Sequence, residues 1–156
     1  MSDPVVIRGI VQADVPFILN SWLKSFRSSR WAGSLPNNVY WDAYHKAIEV
    51  ILERPDTTVK VACLREDPDQ ILGYVVYCPD AVHYLYVKLS LRRHGIGKKL
   101  LATAIGDNVK HFRYTFRTDA LDHLPEGFYA TYSPKIVKAK PREAPAPGLH
   151  NPRDLA

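Results

Sequence analysis

Two spacings of apolar residues alternate along this chain, and together they lay out its elements. Val5 to Val11 is a short apolar run that suits a strand. Val15, Ile18, Leu19, Trp22, Leu23 and Phe26 then fall at i, i+3, i+4, i+7, i+8 and i+11, which is an amphipathic helix. Asp14 is placed to cap its start, and Pro16 is acceptable within its first turn. From Arg27 to Pro36 the chain carries Ser28, Ser29, Gly33, Ser34 and Pro36, and reads as a loop. Tyr40, Tyr44, Ala47, Ile48, Ile51 and Leu52 predict a second helix from Asn38 to Arg54, which Pro55 stops.

The spacing then changes. Val59 to Leu64 and Ile71 to Tyr77 read as strands, and Glu66-Asp67-Pro68-Asp69-Gln70 between them is turn chemistry, so the pair predicts a hairpin. Pro79-Asp80 makes a further turn before an apolar strand from Val82 to Val87. Leu100, Leu101, Ala104 and Ile105 return to helical spacing, and Gly106-Asp107-Asn108 ends that helix as a left-handed cap would. His111 to Thr118 alternates like a strand, Asp119 to Leu124 allows one or two helical turns before Pro125, and Gly127 to Tyr132 can form a last strand.

Between the strand at 82–87 and the helix lies the most informative stretch, Leu85-Tyr-Val-Lys-Leu-Ser-Leu-Arg-Arg-His-Gly-Ile-Gly-Lys-Lys-Leu-Leu101. Glycines at a strand-to-helix junction let backbone amides approach a ligand that a Cβ would hold off. The helix start adds unpaired N–H groups and the positive end of its dipole, and Arg92, Arg93, Lys98 and Lys99 add charge. This is a receptor for a phosphorylated ligand, and a pyrophosphate suits it best. The Walker spacing with its Lys-Ser/Thr is absent, and Gly95-x-Gly97 lacks the third glycine of a dinucleotide fingerprint.

Arg92-x-x-Gly95-x-Gly97 after Leu85-Tyr86-Val87 resembles the Arg/Gln-x-x-Gly-x-Gly/Ala signature of the GCN5-related N-acetyltransferases, the GNAT superfamily. The element order extends that resemblance over most of the chain. It implies an α/β (α+β) fold: a mixed, mostly antiparallel sheet with helices on both faces and a splayed gap between the fourth and fifth strands. It implies acetyl-CoA, or another acyl-CoA, as cofactor. The loop from Arg92 through Arg93, His94, Gly95, Ile96 and Gly97 to Lys98 would hold its pyrophosphate, with the strand backbone at Leu85, Tyr86 and Val87 beside the acyl end. The layout from Thr115 onward lacks the family's additional helix and closing hairpin, and resembles small GNAT-like proteins encoded by bacteriophages.

Composition adds bounds. At 156 residues with 46% hydrophobic and 24% charged, the chain is one globular domain with a genuine core. That domain is expected over residues 1–138, followed at 139–156 by a Pro-rich tail too poor in apolar residues to fold alone. The start lacks the layout of a secretory signal and no apolar run spans a membrane, so the expected place is the cytoplasm of a bacterium or of a phage-infected host. Cys63 and Cys78 sit in strand-like stretches and are expected as buried thiols. The net charge of +5 would help draw in an anionic cofactor.

Acyl transfer to an amine requires a neutral amine, a polarised carbonyl and a proton for the leaving thiolate. His83 is the first candidate base: it lies four residues before Val87, on the same face in a period-two strand, and its unperturbed pKa suits the task. A half-buried strand histidine without a role is the plain alternative, and Asp80 is the other candidate base. In the family the proton donor is a tyrosine on the helix after the fifth strand. Matching Gly127-Phe128 to the family's Gly-Phe pair puts His123 in that place, with Tyr129 and Tyr132 as nearby substitutes. Trp22, Trp31 and Tyr40, on the first two helices and their loop, would border the acceptor, although aromatics at helical spacing are usually core. The histidines show no metal-ligand spacing.

The expected function is therefore an acyl-CoA-dependent N-acetyltransferase acting on an amine of a small molecule, a protein or a nucleobase, as a monomer or homodimer with no membrane partner. One alternative is a binding protein on the same fold with its chemistry lost. Another is an acyltransferase acting on nucleic acid, which Arg27, Arg30, Lys135, Lys138, Lys140 and Arg142 among the aromatics would allow; solvated charge is the simpler explanation of those residues.

Overall fold

The computed structural model describes residues 3–29, 33–92, 94–106, 111–118, 121, 124 and 128–138. Its elements follow as β1 (Val5–Gly9), α1 (Val15–Arg27), α2 (Asn37–Glu53), β2 (Thr58–Leu64), β3 (Ile71–Cys78), β4 (Ala81–Val87), α3 (Ile96–Ile105), β5 (His111–Tyr114) and β6 (Tyr129–Tyr132). The strands form one 6-stranded sheet in the order β1-β2-β3-β4-β5-β6. β1 to β4 are antiparallel neighbours, whereas β5 runs parallel to β4 and β6 parallel to β5.

Each face of the sheet carries its own core. Ile18, Trp22, Leu23 and Phe26 of α1 and Tyr40, Ile48 and Ile51 of α2 pack on Val59, Val61, Tyr74, Val76 and Tyr84. On the other face Ile96, Leu100 and Leu101 of α3 pack on Leu72, Val75, Val82, Leu85, Phe112 and Tyr114. The apolar stripes of the helices and the alternation within β3 thus settle which element covers which side. The expected mixed, mostly antiparallel sheet with helices on both faces is the fold observed.

Local chemistry explains several boundaries. Asp14 stands at the start of α1, yet its carboxylate does not cap the helix: it accepts from both Arg8 guanidinium nitrogens (2.7 and 2.9 Å) and from the Val11 amide (2.8 Å). That bond turns the chain after Gly9, so β1 ends short of the expected Val11. α2 ends where Arg54 adopts an extended backbone (ψ 138°), the conformation that a following proline favours. Gly106, with φ +88°, closes α3 through its amide to the Ala102 carbonyl (2.8 Å).

β5 also departs from expectation, ending at Tyr114 rather than Thr118. Phe112 and Tyr114 face the α3 core, but Phe116 sits in the other core, edge-on to Trp22 and Phe26 (centroids 5.1 Å in both cases). A straight strand would keep these aromatics on one face. The chain bends at Thr115 instead and gives an aromatic to each core.

Among the described residues, no helix is long and apolar enough to cross a membrane. Cys63 and Cys78 are both buried and free. The tail at 139–156 lies outside the described residues.

Candidate active site

The junction between β4 and α3 is built as its glycines suggest. Gly95 adopts φ +82°, ψ 0°, a left-handed conformation that side chains disfavour, and so aims the chain into the helix. The first helical hydrogen bond among the described residues runs from the Lys99 amide to the Gly95 carbonyl (3.0 Å), and the amides of Ile96, Gly97 and Lys98 have no acceptor among those residues. Gly97 is informative for a different reason. Among the described residues a Cβ there would meet only Val87 Cγ2, at 3.5 Å, an ordinary contact, so packing against them does not require glycine. A glycine with room beside it, on open amides and at the positive end of a helix dipole, fits close approach by an anion.

Gly73 is the contrasting case. A Cβ on it would lie 2.5 Å from the Tyr86 carbonyl oxygen and 3.3 Å from Leu100 Cδ1, so here the protein itself fills the space. That close packing seats α3 against the end of β4. The sequence alternation gave no sign of this role.

The polar side chains around the loop divide. Lys98 and His94 are exposed. Arg92 folds back, its Nε donating to the Val87 carbonyl (3.0 Å), and so ties the loop to the end of β4. Lys99 is spent elsewhere: its Nζ reaches Asp3 Oδ2 (2.7 Å) and the Val5 carbonyl (2.9 Å), pinning α3 to β1. Arg93 lies outside the described residues.

Beside the loop the sheet comes apart. β4 and β5 share one register pair, Val82 with Tyr114, followed by a hydrogen bond from the Thr115 amide to the Val82 carbonyl (3.1 Å). Past that point β5 bends away, and Tyr84 to Val87 have a strand partner only on the β3 side among the described residues. This is the expected gap between the fourth and fifth strands. Leu85 and Val87 turn their side chains to the α3 side, while Tyr86 stacks on Tyr74 (5.1 Å) on the other.

His83 sits where the gap begins. In the β3–β4 ladder Val76 pairs with Tyr84 and Tyr77 with Val82, so His83 is the extra residue of a β-bulge. The period-two count from Val87 thus reaches His83 at the bulge itself. Its side chain is 0% exposed, Nδ1 lies 2.8 Å from Thr115 Oγ1, and Nε2 has no hydrogen-bond partner among the described residues. Burial, seconded by the positive Arg54 and opposed by Asp56, pulls its pKa down to about 4. Arg54 and Asp56, both buried, form an ion pair through Nε and Nη2 (3.1 and 3.3 Å), and Arg54 Nη1 donates to the Val137 carbonyl (2.9 Å). Thr115, Arg54 and Asp56 were missed in the sequence, where Thr115 reads as a strand residue and Arg54 as the end of the second helix.

The remaining candidates are scattered. Asp80 is half-buried in the β3–β4 turn and has interactions of its own. Tyr129 and Tyr132, 68% and 46% exposed, lie on β6 with β5 between them and β4, about 10 Å from it by strand spacing. Tyr129 lines a cavity of about 590 Å³ with His111, Leu121 and Leu124. His123 and Trp31 lie outside the described residues. Trp22 and Tyr40 are fully buried, Trp22 stacked on Tyr84 (4.8 Å) and Tyr40 donating to the Leu23 carbonyl (2.7 Å). Both are core walls, and neither presents surface to an acceptor.

Comparison with known proteins gives these features a family. A model described as "Acetyltransferase (GNAT) family" matches residues 18–124. Among solved structures, a Pyrococcus furiosus protein described as an acetyl transferase aligns at 19% identity, over 64% of this chain and 70% of its own, with a TM-score of 0.53. A GNAT-family acetyltransferase from Staphylococcus aureus Mu50 aligns at 18%, over 65% and 63%, with a TM-score of 0.46. An aminoglycoside 6'-N-acetyltransferase in complex with coenzyme A aligns at 19%, over 63% and 52%, with a TM-score of 0.44. The chain thus spans less than two thirds of the latter two. No curated protein matches it. Nothing in these comparisons supports the expected kinship with phage-encoded proteins.

Proposed function

The chain belongs to the acetyltransferase (GNAT) family, and from that premise we propose that it is an acyl-CoA-dependent N-acetyltransferase. The family's acyl donor is acetyl-CoA or another acyl-CoA, and the residues present fit it. The amides of Ile96, Gly97 and Lys98, the turn at Gly95 and the charge of Arg93 and Lys98, with His94 beside them, would hold the pyrophosphate. Arg92 braces that loop on Val87. The unpaired edge of β4 from Leu85 to Val87 would run beside the acyl arm.

When bound, the donor supplies a thioester carbonyl for an amine to attack, with a thiol as leaving group. The chain's part is to fix the carbonyl, exclude water and manage protons. Tyr84, Leu85 and the aromatics around Phe116 wall the start of the gap. His83 stands where the gap opens, and proton handling there falls to Asp80, with Tyr129 and Tyr132 farther out on β6.

One observation carries this reading: a glycine-bearing helix start with open amides stands directly beside the opening between β4 and β5. Calorimetry with acetyl-CoA tests the binding half, and the expected result is a stoichiometric complex with micromolar or tighter affinity. No binding at high micromolar concentrations would overturn it. Lysate amines labelled with isotopic acetyl-CoA and read by mass spectrometry would then identify the acceptor.

A second reading, a binding protein that has lost its chemistry, draws support from the burial of His83 and from the aromatic residues exposed on β6. It predicts one stoichiometric partner in a pulldown and no turnover on any amine. The nucleic-acid reading loses part of its basis, because Arg27 is committed to the Leu35 carbonyl (2.6 Å), Asn37 Oδ1 (2.8 Å) and the face of Tyr40 (4.7 Å).

A further inference from the structure

We propose that His83 takes part in the transfer as a hydrogen-bond donor through Nε2–H, with the Thr115 hydroxyl as the positioning group that fixes this tautomer. The proposal rests on the acyl-transfer reading above and departs from the role of base that the sequence suggests for this residue.

Placement comes first. The bulge leaves His83 without a partner on β3, and its ring spans to Thr115 at the last point where β4 and β5 touch. The imidazole is thus gripped where the gap opens, with one nitrogen engaged and the other, Nε2, buried and unpartnered.

Proton bookkeeping then selects the tautomer. The Thr115 side chain is buried, and His83 Nδ1 is its partner within the site, at 2.8 Å. If the hydroxyl donates to Nδ1, its proton and the Nδ1 lone pair are both satisfied and the ring proton resides on Nε2. In the reverse arrangement, both the hydroxyl proton and the Nε2 lone pair are buried without partners. Each unpaired buried group is costly, so the arrangement that leaves one is favoured over the arrangement that leaves two.

The neighbouring charges keep the ring neutral. Arg54 is the nearby cation, and the Asp56 carboxylate that could balance an imidazolium is already bound by it. Half-buried Asp80 belongs to the β3–β4 turn, just before β4 begins. A neutral ring with Nδ1 as acceptor has one proton to offer, at Nε2, and no lone pair left for the role of base.

A fixed N–H donor at this position suits the oxygen of the reacting carbonyl, where negative charge gathers as the C–N bond forms. The electron pair of the breaking C–S bond leaves with sulfur, the amine gives up its proton to water or Asp80, and His83 keeps its own proton throughout.

Histidine-selective ¹⁵N NMR on the ligand-free protein at pH 7 reads the tautomer directly. The expected spectrum has a protonated Nε2 and an unprotonated Nδ1 at His83, and Thr115→Val mixes the two forms. In steady-state assays His83→Ala should lower kcat about a hundredfold or more. His83→Gln, which keeps an amide donor and no base, should stay within about tenfold of the wild type. Thr115→Val should also lower kcat, Thr115→Ser should restore it, and the affinity for acetyl-CoA measured by calorimetry should hardly change in any of them.

A proton on Nδ1 in the wild type, or His83→Gln as slow as His83→Ala, overturns the proposal. Should the wild type fail to bind acetyl-CoA, the acyl-transfer reading falls, while the spectrum still decides the tautomer. Because that spectrum needs only the wild type, variants that fail to fold leave the proposal exposed to the test.

Discussion

His83 has an ordinary pKa of 6.5 and, once buried, one of about 4. Above pH 6.5 neither the folded nor the unfolded chain carries the proton, and the full stability is present. As the pH falls below 6.5 the unfolded chain gains a proton that the folded chain refuses, so stability declines until the pH reaches about 4. The loss should total about 3–4 kcal/mol, from a shift of about 2.5 units at about 1.4 kcal/mol each. Asp3 and Asp14, whose carboxyls lie below the ordinary value, add their own losses only at still lower pH. Urea midpoints at pH 7 and pH 4.5 should show the decline, and His83→Gln should flatten it; equal slopes in the two proteins would place the titrating group elsewhere. The sequence could offer His83 as a residue worth watching but not its surroundings. Val82 to Val87 reads as one unbroken strand, because a bulge leaves no mark in composition. Arg54 reads as the end of a helix and Asp56 follows the proline that stops it, and only the fold buries them.

At the scale of elements, the sequence was most legible where periodicity is long. α1, α2, α3 and the β2–β3 hairpin lie within a few residues of expectation, since each buries a continuous stripe. β5 was misjudged because Phe116 continues an alternation that the bend at Thr115 interrupts. The loop was legible for another reason: its glycines stand at a strand-to-helix junction, and among the described residues a Cβ on Gly97 would make no more than an ordinary contact. Gly97→Glu should therefore abolish acetyl-CoA binding in calorimetry, by placing a charged side chain on the open amides against the helix dipole, with circular dichroism unchanged. Retained affinity would remove the loop from the site. Gly73→Ala should do the reverse. Its new methyl meets the Tyr86 carbonyl at 2.5 Å, an overpacking that costs about 1–3 kcal/mol in denaturant unfolding. Some loss of acetyl-CoA affinity should follow, because the end of β4 seats α3. An unchanged midpoint would mean that β3 and β4 part there at no cost.

At the scale of the molecule, the boundary after residue 138 was read from proline content, while the fold supplies a physical test of it. Val137 packs against the larger core and its carbonyl accepts from Arg54. Ending the chain after Lys138 should leave the Tm within about 2 °C of the full-length value, whereas ending it after Ser133 should lower Tm by more than about 4 °C. Equal effects would mean that the tail docks on the domain. The lone pairing between Val82 and Tyr114 has a wider consequence. Four antiparallel strands and two parallel ones share a sheet through little more than that pair and the Thr115 amide. Amide protons on the free edge of β4 beyond Val82 should trade with deuterium far faster than those bonded to β3. β5 and β6 should also surrender their protons together, at a lower opening free energy than β1 to β4. A single protection factor across all six strands would instead mean that the two parts open as one unit.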